Sequence, residues 1–132
     1  MSLVTRIALI LASALAFVAI SATLAHADVQ EVFICKVKEG KSVEEVMKVG
    51  GEFKAAIKAL PGGSDYQARV LTPVASGNLG NIVWVGAMGS FSALAAFNDA
   101  YNASEVGEKY DAKFQELVNC ESRSFWQIHD VE

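Results

Sequence analysis

Asn81–Phe97, NIVWVGAMGSFSALAAF, is the stretch from which the fold can be read. Its first part, Ile82 to Met88, carries no charge and no strict alternation, the pattern of a central strand covered on both faces. Gly89 lets the backbone turn. Ser90 then stands where a helix N-cap belongs, its hydroxyl able to accept from one of the unpaired amides of the first turn. Phe91, Leu94, Phe97 and Tyr101 follow on one side of the helix so started. One strand feeds one helix, and the rest of the chain is built around that unit.

Working outward toward the N-terminus, Ala75 to Gly80 has the length of a hairpin loop, so the strand predicted at Tyr66 to Val74 should pair antiparallel with Ile82 to Met88. Pro73 lacks an amide to donate and assigns that strand to a sheet edge. Leu60-Pro61-Gly62-Gly63 stops a preceding helix. That helix opens with a capping box, Ser42 and Glu45, and buries a stripe of Val43, Val46, Met47, Phe53, Ile57 and Leu60. Gly50-Gly51 inside it costs about 1 kcal/mol per glycine relative to alanine, and is read as close approach to the sheet or a kink in preference to a ligand contact. Val29 to Lys38 is the first strand, with Val32 and Ile34 on one face and Phe33, Cys35 and Val37 on the other.

Toward the C-terminus, Asn102-Ala103-Ser104 interrupts the second helix and Ser104 caps a further segment. Val106, Tyr110, Phe114 and Leu117 carry its apolar stripe toward Asn119. The same triplet is formally a glycosylation acceptor, a match too common to carry weight. Cys120 to Val131 is the last strand, in which Ser122, Ser124, Trp126 and Ile128 alternate with Arg123, Phe125, Gln127 and His129. The order strand, helix, strand, strand, helix, strand, taken as two right-handed crossovers, predicts a ferredoxin-like α+β domain: a four-stranded antiparallel sheet with its helices on one face.

Residues 1–27 stand apart. Arg6 is their only charge, Ile7 to Leu24 is an uncharged apolar run, and Ala25-His26-Ala27 has the form of a cleavage site, so this is read as a secretory signal peptide, with a retained membrane anchor as the alternative. The remaining residues, 28–132, suit one domain with one core. With Arg6 gone, ten basic residues face fifteen acidic ones in scattered positions, which argues against nucleic acid and anionic lipid as partners. A periplasmic or secreted location follows from the signal, and no membrane association is expected after cleavage. Cys35 and Cys120 are the only cysteines; export favours a disulfide between them over two buried thiols. In the ferredoxin-like order the first and last strands are neighbours. A bridge would set their register and leave Gln127 to Val131 overhanging the start of the first strand.

With helices on one face, the other sheet face needs a cover, and a twofold homodimer is the simplest one. Phe33, Val37, Leu71, Ile82, Trp84 and Met88 are the residues from which that face is expected to be built. In its element order, its WVGAM strand running into GSFSALAAF and its broken second helix, the chain resembles the dimeric α/β-barrel superfamily, in which two ferredoxin-like sheets close into one barrel. The resemblance spans residues 28–132. It implies a ligand pocket between sheet and helices, and activities that include cofactor-independent monooxygenases, haem-degrading oxygenases, isomerases and dehydratases, beside members of no known activity. Trp84 matches the strand tryptophan of the haem-degrading branch. The first strand has no Asn and the second helix no His, so haem degradation is not expected and no cofactor is implied.

The residues themselves offer few chemical candidates. His129 is the one imidazole after residue 27 and could act as an acid or base near neutral pH, or be an exposed strand-end side chain. Arg123 and Gln127 share its face and could form an anion-binding edge, although a dimer interface suits them better. Tyr66 and Arg69 point to opposite faces and do not make one site. Trp84 and Trp126 are read as core or interface aromatics, with a pocket wall as the other role. Paired carboxylates, a nucleophile triad, a P-loop and a metal-ligand cluster are all missing from the pattern. The expected protein is an exported homodimer binding a small, largely apolar molecule, as a cofactor-independent monooxygenase or isomerase or else as a non-catalytic module. A pocket holding Trp84 and a buried polar group would favour the enzyme. A helix–sheet space filled by Phe53, Phe97 and Phe114 would favour the module.

Overall fold

The computed structural model describes residues 29–75 and 80–131. The signal-peptide reading of residues 1–27 and the middle of the 75–80 connection lie outside those residues. The elements are β1 (Val29–Val37), α1 (Val43–Ala56) with a 3-10 turn at Ile57–Ala59, β2 (Gln67–Leu71), β3 (Asn81–Met88), α2 (Phe91–Asn102), α3 (Glu105–Leu117) and β4 (Val118–Gln127). The sheet is antiparallel with order β2-β3-β1-β4, which is the ferredoxin-like topology. Among the described residues no helix is long and apolar enough to cross a membrane.

Helix starts follow the capping chemistry. Ser42 Oγ accepts from the Glu45 amide while the Glu45 carboxylate accepts from the Ser42 amide, completing the capping box. Ser90 accepts from Ala93 N at the start of α2, and Ser104 accepts from Gly107 N at the start of α3. The break between α2 and α3 is therefore a second capped start. A Cβ on Gly107 would lie 2.1 Å from the Tyr101 carbonyl oxygen, so only glycine lets the two helices meet so closely there. Gly50 likewise approaches the sheet: a Cβ would sit 3.2 Å from Trp84 Cζ3. Gly51 faces open space.

Strand bounds differ from the sequence reading most at β2 and β4. β2 stops at Leu71, before Pro73, as a residue without an amide requires. Tyr66 falls just ahead of it. β4 starts at Val118, directly from α3, because Val118 pairs with Val37 and Leu117 closes the apolar stripe of the helix. It ends at Gln127, opposite Val29, so Ile128 to Val131 run past the partner strand. Cys35 and Cys120 are bridged, with Cα atoms 3.8 Å apart and a bulge between Ile34 and Cys35 absorbing the extra residue of β4.

The composition of the two sheet faces is the main correction. Phe33, Val37, Ile82, Trp84 and Met88 lie on the helix-covered side, packed into two apolar clusters with α1, α2 and α3. The uncovered face instead takes the alternate positions: Val32 and Ile34 of β1, Val83, Val85 and Ala87 of β3, Leu71 of β2, and Ser122, Ser124 and Trp126 of β4. Alternation sorts residues into two sets and does not say which set the helices cover. The uncharged run of β3 reads as covered on both sides because its outward residues are also apolar.

Candidate functional site

Glu31 shares the helix-covered face of β1 with Val29, Phe33 and Cys35, and is 3% exposed. A carboxylate there is costly unless its oxygens are hydrogen-bonded. Tyr66, at the entrance to β2, donates its hydroxyl to Glu31 Oε1 at 2.8 Å. Asn98 of α2 donates to Oε2 at 3.3 Å, and Arg123 of β4 donates to the same oxygen at 2.8 Å. Trp84 Nε1 donates in turn to the Tyr66 oxygen at 3.3 Å. Side chains of α2, β4 and the β2 entrance, with Trp84 of β3 behind Tyr66, thus converge on one buried acid of β1.

Each partner has a structural reason to be where it is. Phe33 and Arg123 are register neighbours, so the guanidinium comes to lie over the Phe33 and Phe125 rings, 5.2 and 5.0 Å from their centroids, before reaching Glu31. The Tyr66 hydroxyl occupies the space that a side chain at position 86 would take: a Cβ on Gly86 would lie 1.8 Å from it. Burial, and then the Glu31 charge, push the Tyr66 phenol well above its ordinary pKa, so it stays a donor. Tyr101 is held protonated in the same way, by burial and by its 2.9 Å hydrogen bond to Asp111.

A cavity of about 450 Å³ opens between sheet and helices beside this network. That volume falls in the range of small-molecule sites. Glu31, Tyr66 and Trp84 line it with the aromatic rings of Phe53, Phe97 and Phe114. Phe53 stands at the centre, edge-to-face with Tyr66, Trp84, Tyr101, Tyr110 and Phe114 at 5.5–6.0 Å. The three phenylalanines therefore wall the space and leave it open. Glu31 Oε2 has two donors and Oε1 only Tyr66. A carboxylate oxygen accepts about two hydrogen bonds, so Oε1 has one lone pair left for a molecule in the cavity.

Of the candidates taken from the sequence, Trp84 and Arg123 both line the cavity and belong to one network. His129 lies exposed beyond the end of β4, outside the cavity lining. Gln127 pairs with Val29 at the far end of the sheet. Arg69 sits on the uncovered face opposite Val85, apart from Tyr66. The residue the sequence reading passed over is Glu31. Its signal was present: counting back two from Phe33 on an alternating strand puts an acid on an otherwise apolar face.

No family model matches the chain, and no curated protein matches it. Solved structures do. SnoaB, a cofactor-independent oxygenase from Streptomyces nogalater, is similar at a TM-score of 0.55 with 13% identity, over 78% of this chain and 94% of that one. An uncharacterized NIPSNAP domain protein from Burkholderia xenovorans is similar at 0.56 with 18% identity, over 78% and 94%. A protein from Arabidopsis thaliana is similar at 0.53 with 13% identity, over 79% and 96%. Identities this low show the fold alone, and that fold is ferredoxin-like.

Proposed function

We propose that the protein binds a small, largely apolar molecule in the helix–sheet cavity and removes a proton from it with Glu31, as a cofactor-independent monooxygenase. The observation that carries this is the buried Glu31 carboxylate in the lining of an aromatic cavity, its Oε1 accepting from Tyr66 alone. Removing a proton from an acidic C–H leaves an electron-rich carbanion, which the Trp84 and Phe53 rings shield from water. In such a reaction the substrate supplies every electron that dioxygen takes up. A substrate methylene becomes a carbonyl: one atom of dioxygen ends in the new C=O bond, and the other leaves as water with the two methylene hydrogens. An isomerase shares the first step and returns the proton to another carbon. The fold it shares with SnoaB supports the oxygenase reading.

The test separates these readings. In deuterium oxide, 2-tetralone, a flat C–H acid, should exchange its acidic protons faster with protein present, followed by NMR, and an oxygen electrode should register uptake. Glu31→Gln should lower both rates about 100-fold or more, the loss expected for a positioned base. Exchange without oxygen uptake favours the isomerase. Binding with neither leaves a non-catalytic ligand module.

The active unit in this reading is a homodimer exported to the periplasm or beyond, with residues 1–27 removed. Ile34, Leu71, Trp126 and Ile128 are large apolar side chains 42–60% exposed on or beside the uncovered sheet face. A second copy set against that face would remove them from water. The disulfide supports an oxidising compartment. Native mass spectrometry of the exported protein should give a dimer whose chains begin at Asp28. A monomer starting at Met1 overturns both points.

A further inference from the structure

The wall and the mouth of the cavity differ in chemistry, and the difference describes the ligand. The interior is aromatic, and Glu31 Oε1, which accepts from Tyr66 alone, is an acceptor there with room for a second bond. The solvent-exposed part of the lining carries three carboxamides, Asn102, Gln115 and Asn119, with Asp111 and Arg123. Neither charge there is available to a ligand anion. Arg123 is already paired with Glu31, and Asp111 is negative and accepts from Tyr101. Counting Glu31, the lining carries two negative charges against one positive, and Lys38, which donates to the Gln115 backbone carbonyl, stands outside it. An anionic group at the mouth would face a surplus of its own sign, with water as its alternative host. Carboxamides, by contrast, both donate and accept, and match hydroxyl, ether and carbonyl oxygens without needing a charge.

We infer that the ligand is a neutral amphiphile: a flat apolar body with a hydrogen-bond donor aimed at Glu31, and a hydroxyl-rich or amide-rich end held by Asn102, Gln115 and Asn119 at the mouth. This rests on the cavity being the ligand site. It goes further by assigning these three residues to specificity, and by excluding acids of the same skeleton.

Three probes with the same ring and the same free phenol test it by isothermal titration calorimetry on the disulfide-bonded protein: 2-naphthol, the mono-β-glucoside of naphthalene-2,6-diol, and 6-hydroxynaphthalene-2-sulfonate. The glucoside should bind about 5-fold or more tighter than 2-naphthol and the sulfonate about 10-fold or more weaker. Replacing Asn102, Gln115 and Asn119 together by alanine should abolish the advantage of the glucoside and leave 2-naphthol unchanged. A double variant, Asn102→Ala with Gln115→Ala, which leaves β4 untouched, should remove part of it if the triple variant fails to fold. If 2-naphthol binds and the glucoside gains nothing, or the sulfonate binds as well as 2-naphthol, this inference falls and the cavity reading stands. If none of the three binds, the cavity reading falls and takes this inference with it.

Discussion

The two faces of the sheet are drawn from the same strands, residue by residue in alternation, yet they solve opposite problems. The helix-covered face encloses aromatic rings and beside them tolerates a buried acid, Glu31, because Tyr66, Asn98 and Arg123 all donate to it. The uncovered face carries Val32, Ile34, Val83, Val85 and Trp126 on the side away from the helices, with a local Trp126–Ser124 hydrogen bond in place of a buried network. What separates them is that burial by helices makes polar placement expensive and therefore specific, whereas an apolar face without cover asks only for a partner of matching shape.

The largest effect should come from the clamp that holds β4, and with it Arg123, to the helix-covered side. Removing the Cys35–Cys120 bridge, by replacing both with serine, relaxes a loop spanning 85 residues. The chain-entropy model puts that at about 4.5 kcal/mol, to be read from urea denaturation. A loss below about 1 kcal/mol would mean that the other β1–β4 contacts suffice.

Next in size is Gly86→Ala. Its Cβ would meet the Tyr66 hydroxyl, so the tyrosine must move, at about 1–3 kcal/mol by the usual cost of overpacking, and Glu31 loses a donor. A crystal structure of the variant should show Tyr66 displaced from Glu31.

The faces can be set against each other at neighbouring residues. Glu31→Leu leaves the Tyr66 hydroxyl buried without its acceptor and should cost about 2 kcal/mol. Gln30→Leu, one residue away on the uncovered face, should stay within about 0.5 kcal/mol in a monomer. Equal losses would erase the distinction. From the other side, Trp126→Glu should halve the mass seen in sedimentation while leaving probe binding in the cavity intact; loss of binding would show that the faces are coupled.

The smallest effect, absent at neutral pH, is alkaline. Tyr66 and Tyr101 both have pKa values raised in the folded protein above the ordinary 10.0. Below pH of about 10 both states keep these protons and stability is unaffected; above it the unfolded chain releases protons that the folded one retains, so stability falls as pH rises. Tyrosinate absorbance at 295 nm should report these two residues only as the protein unfolds, and Tyr66→Phe should remove one of them from that late step.

Much of this was legible in residues taken singly or at fixed spacing. Ser42 with Glu45, Ser90 and Ser104 announce three helix starts because a cap is a local hydrogen bond, and Pro73 bounds an edge strand because it lacks an amide. The order of elements then leaves few ways to connect them. The Cys35–Cys120 pairing was legible only as far as two cysteines on neighbouring strands allow. Trp84 and Arg123 could be picked out as candidates for the rarity of their chemistry. Their joint use could not, since they are 39 positions apart and meet only through Tyr66 and Glu31.

By itself, then, the sequence determined the elements, their caps and the ferredoxin-like order, all of which depend on interactions within a few residues or on a period of two or 3.6. Which alternate set of each strand lies under the helices, and hence that Glu31 is buried beside a cavity while Trp126 faces outward, only the tertiary structure decided. Alternation has two equivalent phases, and the choice between them is made by the packing of α1, α2 and α3 across the whole sheet.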